Sequence, residues 1–360
     1  LRGTSRGTTQ YMLCVVQRTV PRSLAIRYYI MRILFIGDIV GSPGRNAVKE
    51  LVPKLKQERA IDLVIANAEN SSGGTGLTPK TAEELFASGC DCLTTGDHIW
   101  KLKEVFKIID HPYILRPLNL APNIPGKGYC VIKKNNFNVG LINLQGRVFM
   151  SPIECPFRAV RELIPIIQKE ANIILVDIHA EATSEKVAMG HFLDGLVSAV
   201  VGTHTHIQTA DEKILPKGTA YISELGMCGP YDSVIGQEKS RIIERFLTGM
   251  PVRFEVATGD AQVHGVIIDI DEKTGKARSI ERIQDIDSGD FVMQVKYKET
   301  QGFTPSKIKE PVVQLIEEFK KDNSKKYILY THFGSLNGYD NFIGADKKIT
   351  AEKVKYLENI

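Results

Sequence analysis

The chain has one tryptophan and six cysteines in 360 residues, and no two cysteines stand at CxxC spacing. Cys90 and Cys92 flank a single residue, too tight for a zinc knuckle on their own. Thiols this sparse read as buried, reduced side chains and point to a reducing, cytoplasmic setting rather than a disulfide framework. No apolar run approaches the ~18–20 residues a membrane-spanning helix needs. The first thirty residues have no Asp, Glu or Lys but five arginines, which outweigh the formal net charge of +4 and leave the remainder slightly negative. A near-neutral body carries no electrostatic footprint for nucleic acid. No GxGxxG or GxxxxGK[ST] fingerprint is present, which argues against a dinucleotide-dependent oxidoreductase or a P-loop enzyme. The glycine-rich stretch Ser71–Gly76 fits neither motif and reads as backbone passing close to a site.

What is present is organised from Met31 onward. Residues 1–30 read as a loose extension, with Met31 as the working start. Arg32–Gly37 and Asp62–Asn67 are short apolar runs of the kind that form buried strands. Gly41–Gly44 reads as a turn, Asn46–Arg59 as a helix disturbed by Pro53, Thr78-Pro79 as a helix start, and Cys92–Thr95 as a third strand. This alternation predicts an α/β domain. A hairpin is expected over 129–143, a helix over 157–170 and buried strands over 172–178 and 197–201. Later runs, Tyr221-Ile222, Val252–Ala257, Gln262–Ile270 and Ala277–Ile283, are expected to complete a second sheet. The expected architecture is a four-layer α/β/β/α sandwich of two mainly mixed sheets over 31–286. A small α/β C-terminal appendage over 287–360 adds helices at 307–321 and 350–358 and a strand at 326–331. An oligomer remains open.

Five motifs fall at or just past strand ends: Gly37-Asp38, Ala68-Glu69-Asn70, Gly96-Asp97-His98, Asp177-Ile178-His179 and Gly202-Thr203-His204-Thr205-His206. The carboxyl ends of neighbouring parallel strands open on one crevice, so the fold itself collects these side chains. Glu69 follows a run so apolar that its charge, once buried, needs a partner. His204 and His206 are alternate residues that project to one side if the chain stays extended. Imidazole with carboxylate and amide oxygen, and no thiolate, suits iron, manganese or zinc. The donors are too many for one tetrahedral ion. A pair ~3.5–4 Å apart sharing one carboxylate uses them all, acidifies a water and clamps phosphoryl oxygens, while a neighbouring imidazole protonates the leaving alkoxide. Arg45 is a candidate phosphate contact or a solvated helix residue. Arg147 and Glu181 are candidates for the surrounding layer, and His191 for core or that layer. His111, His264 and His332 read as structural, and Ser184 lacks an oxyanion motif.

GDIVGSPGR, IANAENSSGGTGLT, GDHIW, NLQGRVFM, VDIHAEATSEK, VGTHTHIQTADEKILP and AYISELGMCGPYDS together resemble the YmdB-type branch of the calcineurin-like metallophosphoesterases, in order from Met31 to about Ile283. The resemblance implies the sandwich fold, a dinuclear metal centre, often iron, and phosphodiesterase activity on cyclic nucleotides, 2′,3′-cyclic ones above all. It implies Glu69 as the bridging carboxylate, with Asp38, Asn70 and His206 completing one metal site and Asp97, His179 and His204 the other. His98 matches the general acid. The family reads Gly-Asn-His where this chain has Gly96-Asp97-His98, so a third negative charge faces the metals and turnover or substrate binding is expected to be weaker. A phosphomonoesterase or nucleotidase of the same fold, or a regulatory metal-binding protein acting through partners, are the competing expectations.

Overall fold

The computed structural model describes residues 30–134, 137–259 and 261–286. The N-terminal extension up to residue 29 and the appendage 287–360, with its expected elements and His332, lie outside the described residues. Strands β1 (Ile30–Ile36), β2 (Asp38–Ile39), β3 (Leu63–Asn67) and β4 (Cys92–Thr94) interleave with helices α1 (Gly41–Glu58) and α2 (Pro79–Ala87). There follow β5 (Tyr129–Lys134), β6 (Phe137–Gln145), α3 (Pro156–Ile167), β7 (Ile173–His179), α4 (Thr183–Leu193) and β8 (Ala199–Thr203). The remainder is β9 (Lys213–Ile214), β10 (Ala220–Ile222), β11 (Met227–Pro230), α5 (Lys239–Thr248), β12 (Ala261–Asp271) and β13 (Ala277–Ile286).

The strands form two sheets. The first runs β2-β11-β12-β1-β3-β4, with β13 on the other edge of β12, and β1, β3 and β4 are parallel. The second runs β5-β6-β7-β8-β10-β9, with β6, β7, β8 and β10 parallel. Strand alternation sorts side chains into layers. Ile33, Phe35, Leu63 and Ile65 join Ile173, Leu175, Ala199 and Val201 between the sheets. Leu34, Ile36, Val64 and Ala66 face α1 and α2. Ile174, Val176, Ile178 and Val200 pack with Val160, Leu163 and Met189 of α3 and α4. The result is the four-layer α/β/β/α sandwich.

Three expectations need correction. The runs at 262–270 and 277–283 enter the first sheet, not the second: β12 lies antiparallel to β1 with Ile33 opposite Ile268. Both faces of β12 are covered, Val266 and Ile268 between the sheets and Val263 and Ile267 on the helix side, so it fits beside β1 rather than at an open edge. Val252–Ala257 is no strand. Only Val256 makes a single bridge, to Gln237, because Arg253 and Glu255 face solvent. The expected turn at Gly41–Gly44 is the first turn of α1. Pro43 is tolerated there because first-turn N–H groups have no helical partner, and Gly44 lets the helix approach the Cys228 carbonyl. By contrast α2 starts as its sequence predicts, with Thr78 and Thr81 capping each other ahead of Pro79. Among the described residues no helix is long and apolar enough to cross a membrane.

Candidate metal centre

Asp38 opens β2 two residues beyond β1, Glu69 and Asn70 follow β3, Asp97 and His98 follow β4, His179 ends β7, and His204 and His206 follow β8. The first sheet thus supplies the acids, Asn70 and His98, and the second sheet supplies three imidazoles. They meet at one end of the sandwich. Glu69, Asp97, His179 and His204 each offer a donor atom, all within 4.8 Å of one another. His179 Nε2 stands 3.0 Å from Glu69 Oε1, 3.3 Å from Asp97 Oδ1 and 3.0 Å from His204 Nδ1. On the other side of Glu69, Asn70 Nδ2 lies 3.5 Å from Asp38 Oδ1, 3.4 Å from Glu69 Oε1 and 3.2 Å from His206 Nε2. Asp38 Oδ1 is 3.7 Å from His206 Nε2. Glu69 touches both groups. His98 stands beside them, its Nδ1 2.8 Å from Asn70 Oδ1 and its backbone N–H donating to Glu69 Oε2 at 3.2 Å.

Each of the three imidazoles from the second sheet has its outer nitrogen occupied. His206 Nδ1 is 2.9 Å from the Ile235 carbonyl, which only accepts, so Nδ1 carries the proton. The Thr203 hydroxyl donates to Asp177 Oδ1 at 2.7 Å and therefore accepts from His179 Nδ1 at 2.9 Å. Glu181 Oε2 lies 3.1 Å from His204 Nε2. In all three rings the free nitrogen faces the cluster, the arrangement metal-ligating histidines adopt.

The electrostatics fit a cation. Burial alone would lower the pKa of His179, but Glu69 and Asp97 outweigh it and hold the ring well above the ordinary imidazole range. Burial pushes Asp38 up to about 7, against the pull of His206 and His179. Burial also works against ionised Glu69 and Asp97, yet neighbouring imidazoles, His179 first, hold both below the usual carboxylate range. Burial and the His179 charge push His204 down to about 3, leaving it neutral. Asp97 Oδ1 is buried yet forms no hydrogen bond of acceptable geometry. A Cβ at Gly96 would collide with the His179 ring and Glu69, so the space against the cluster is kept clear by the absence of a side chain. The donor set therefore fits metal ions. Ligation through Asn70 Oδ1 requires its amide to turn over, because as placed the nitrogen faces Asp38 and His206.

The structure changes several assignments. His204 and His206 do not reach the site along an extended strand: β8 ends at Thr203, and the two residues take φ of +100° and +65°. Such angles are uncommon for non-glycine residues and mark a functional turn. Arg45 neither faces solvent nor reaches the cluster; it binds Glu84 and the Ser71 carbonyl, tying α1 to α2 and the loop after β3. His191 is exposed, as is Ser184. Arg147 contributes its backbone N–H to Glu185, not its side chain. The loop Ser71–Gly76 packs on Val256, Gln237 and Leu102 through Gly74 and Gly76, both at positive φ. His111 contacts Phe86 and Tyr113, and buried His264 bonds Tyr231, as structural histidines do. Cys90, Cys92, Cys130 and Cys228 are buried free thiols, and Cys155 is partly exposed.

Sequence reasoning missed the polar layer beneath the cluster. Thr94, Thr203 and Asn67 all bind Asp177, and none of the four has solvent exposure. Asp177 lies two residues before His179 and so on the same face of β7, a signal that alternation could have supplied. Asn143 Oδ1 and Gln145 Oε1, on β6 beside it, are buried without a donor.

A chain of 54% identity over 254 residues, covering 70% of this chain and 96% of its own length, is the 2′,3′-cyclic-nucleotide 2′-phosphodiesterase of Bacillus subtilis (strain 168). A crystal structure of a novel phosphatase from Mycoplasma pneumoniae superposes with TM-score 0.68 at 38% identity, covering 71% of this chain and 94% of that one. A hypothetical protein from Thermus thermophilus gives TM-score 0.67 at 40% identity over 71% and 99%. A two-sheet sandwich with carboxylates and imidazoles gathered at its strand ends defines a metal-dependent phosphoester hydrolase. Residues 34–283 match the model of the YmdB-like proteins, and the chain belongs to that family.

Proposed function

We propose that the chain is a dinuclear metallophosphodiesterase acting on cyclic nucleotides, 2′,3′-cyclic ones first, as the name of its Bacillus relative suggests. The observation that carries this reading is the orientation of His179, His204 and His206, each with its outer nitrogen beside an oxygen and its inner one turned to the cluster, where Asp97 Oδ1 is buried without a hydrogen bond. Asp38, Asn70 and His206 would hold one ion and Asp97, His179 and His204 the other, with Glu69 shared between them. Iron is the expected metal, with manganese or zinc as alternatives. When bound, such a pair supplies Lewis acidity toward phosphoryl oxygens and an activated water.

His98 supplies the proton for the leaving oxygen. Its side chain is 31% exposed, so it borders both the cluster and solvent. His98 Nδ1 is occupied by Asn70 at 2.8 Å, so the proton given away is the one on Nε2 of the protonated ring, which returns to neutral imidazole. Hydrolysis adds water across one P–O bond of the cyclic diester; the released oxygen takes the His98 proton and leaves as a hydroxyl. The product is a phosphate monoester.

The test is metal analysis of anaerobically purified protein together with an activity panel of 2′,3′-cyclic nucleotides, 3′,5′-cyclic nucleotides and nucleoside monophosphates, with iron or manganese supplied. Two ions per chain and a preference for a cyclic diester are expected. Preference for monophosphates would instead establish a phosphomonoesterase, and fewer than two ions would remove the dinuclear mechanism.

A further inference from the structure

Thr205 lies between two proposed ligands, both at positive φ, and its own contacts point away from them. Its backbone N–H and its hydroxyl donate to the same oxygen of Glu224, at 3.0 and 2.6 Å. Lys186, from α4, donates to that oxygen at 2.7 Å and to the Thr205 hydroxyl at 3.2 Å. The second oxygen of Glu224 accepts the Gly226 N–H at 3.0 Å, and the Gly226 carbonyl accepts the Asp38 N–H at 3.1 Å. The backbone N–H of His204 closes the circuit on Asp38 Oδ2 at 3.0 Å. One carboxylate therefore grips the Thr205 turn of the second sheet with one oxygen and the support of Asp38 in the first sheet with the other.

Glu224 and Lys186 are 1% and 2% exposed. A buried ion pair is weak evidence of stability, since apolar replacements often serve as well; what charged groups add here is direction. Glutamine at 224 keeps the shape but has one acceptor oxygen, and it cannot receive donors at both ends. The clamp also holds the uncommon backbone angles on either side of Thr205, which persist only where surrounding bonds over-determine them.

We propose that Glu224, with Lys186 as its counter-ion, is a positioning residue that sets Asp38 against His204 and His206 across the two sheets. The proposal rests on reading those three side chains as metal ligands. It is tested by Glu224→Gln and by the double variant Lys186→Met/Glu224→Gln, each compared with the full wild-type chain in three measurements. In metal-free protein, amide exchange at Thr205 and Gly226 is expected to be slow in the wild type and at least about tenfold faster at one of the two in both variants, because a single glutamine oxygen cannot accept at both ends. In Mn2+ titrations the wild type is expected to take two ions. Both variants keep one and bind the second about ten- to a hundredfold more weakly, the usual effect of removing a residue that orients a ligand. In thermal unfolding the single variant, which leaves Lys186 without its anion, falls below the double variant. Wild-type affinity for the second ion together with unchanged exchange at both Thr205 and Gly226 in Glu224→Gln would overturn the proposal. So would recovery of second-ion affinity in the double variant, since the pair would then matter only as buried charge. If the wild type itself takes fewer than two ions, the dinuclear reading fails, and the exchange comparison at Thr205 and Gly226 alone decides whether the clamp exists.

Discussion

Asp97 Oδ1 lies 3.3 Å from His179 Nε2, so a buried carboxylate oxygen stands directly against the imidazole whose proton it favours. Asparagine at this position would offer an oxygen without the charge. With the proposed ions bound, the extra charge would oppose acidification of a metal-held water and would repel an incoming phosphate. In Asp97→Asn, kcat/KM is expected to rise about tenfold, roughly 1.4 kcal/mol of barrier, while metal affinity weakens. An unchanged or lower kcat/KM with both ions in place contradicts this account.

Metal loading is expected to release protons. The raised pKa of His179 means that the metal-free ring is protonated at neutral pH, and ligation requires that proton to leave. Asp38, at about 7, contributes a fraction of a second proton near neutrality and more as the pH falls. Protons thus compete with metal, and affinity rises with pH until both groups are deprotonated. Calorimetric titration of the metal-free protein in buffers of different ionisation enthalpy measures the number released. A heat independent of buffer argues against protonated His179.

His98→Ala removes the proposed proton donor but no proposed ligand. Turnover is expected to fall by about 10²–10⁴-fold with metal content unchanged. Metal analysis beside steady-state kinetics checks both. A biological effect that survives this variant points to a regulatory role through partners rather than through hydrolysis.

Thr203→Val breaks the relay from His179 Nδ1 through the hydroxyl to Asp177 while changing little in shape. Metal affinity is expected to drop about tenfold or more because the ring loses the acceptor that fixes its tautomer. Asp177, whose pKa burial already pushes upward, loses one of its side-chain donors and becomes easier to protonate. Retention of wild-type affinity would show that packing alone orients His179.

Much of this arrangement was legible in the sequence because apolar strands end abruptly in polar residues, and parallel strands open at the same end. That rule leads to Asp38, Glu69, Asp97 and His179 meeting without any knowledge of contacts. It fails where the outcome depends on register between distant segments. The placement of β12 beside β1 was hidden because both faces are buried, which erases the alternation that would mark an edge or a central strand. Arg45 was misread because its partner Glu84 belongs to a different helix. The turn at His204–His206 was misread because its backbone angles are imposed by bonds from Glu224, Asp38 and Ile235, none of them nearby in sequence.

The two sheets face each other across the apolar layer that runs from Ile33 and Phe35 to Leu175 and Ile222. The reactive cluster is therefore assembled at a seam, half of it riding on each side. Shrinking a side chain in that seam would let one half slide against the other while both keep their hydrogen-bonded ladders. Catalysis in such a molecule is a gauge of how tightly its interior is filled, and mild softening of the interior would silence it well before the chain unfolds.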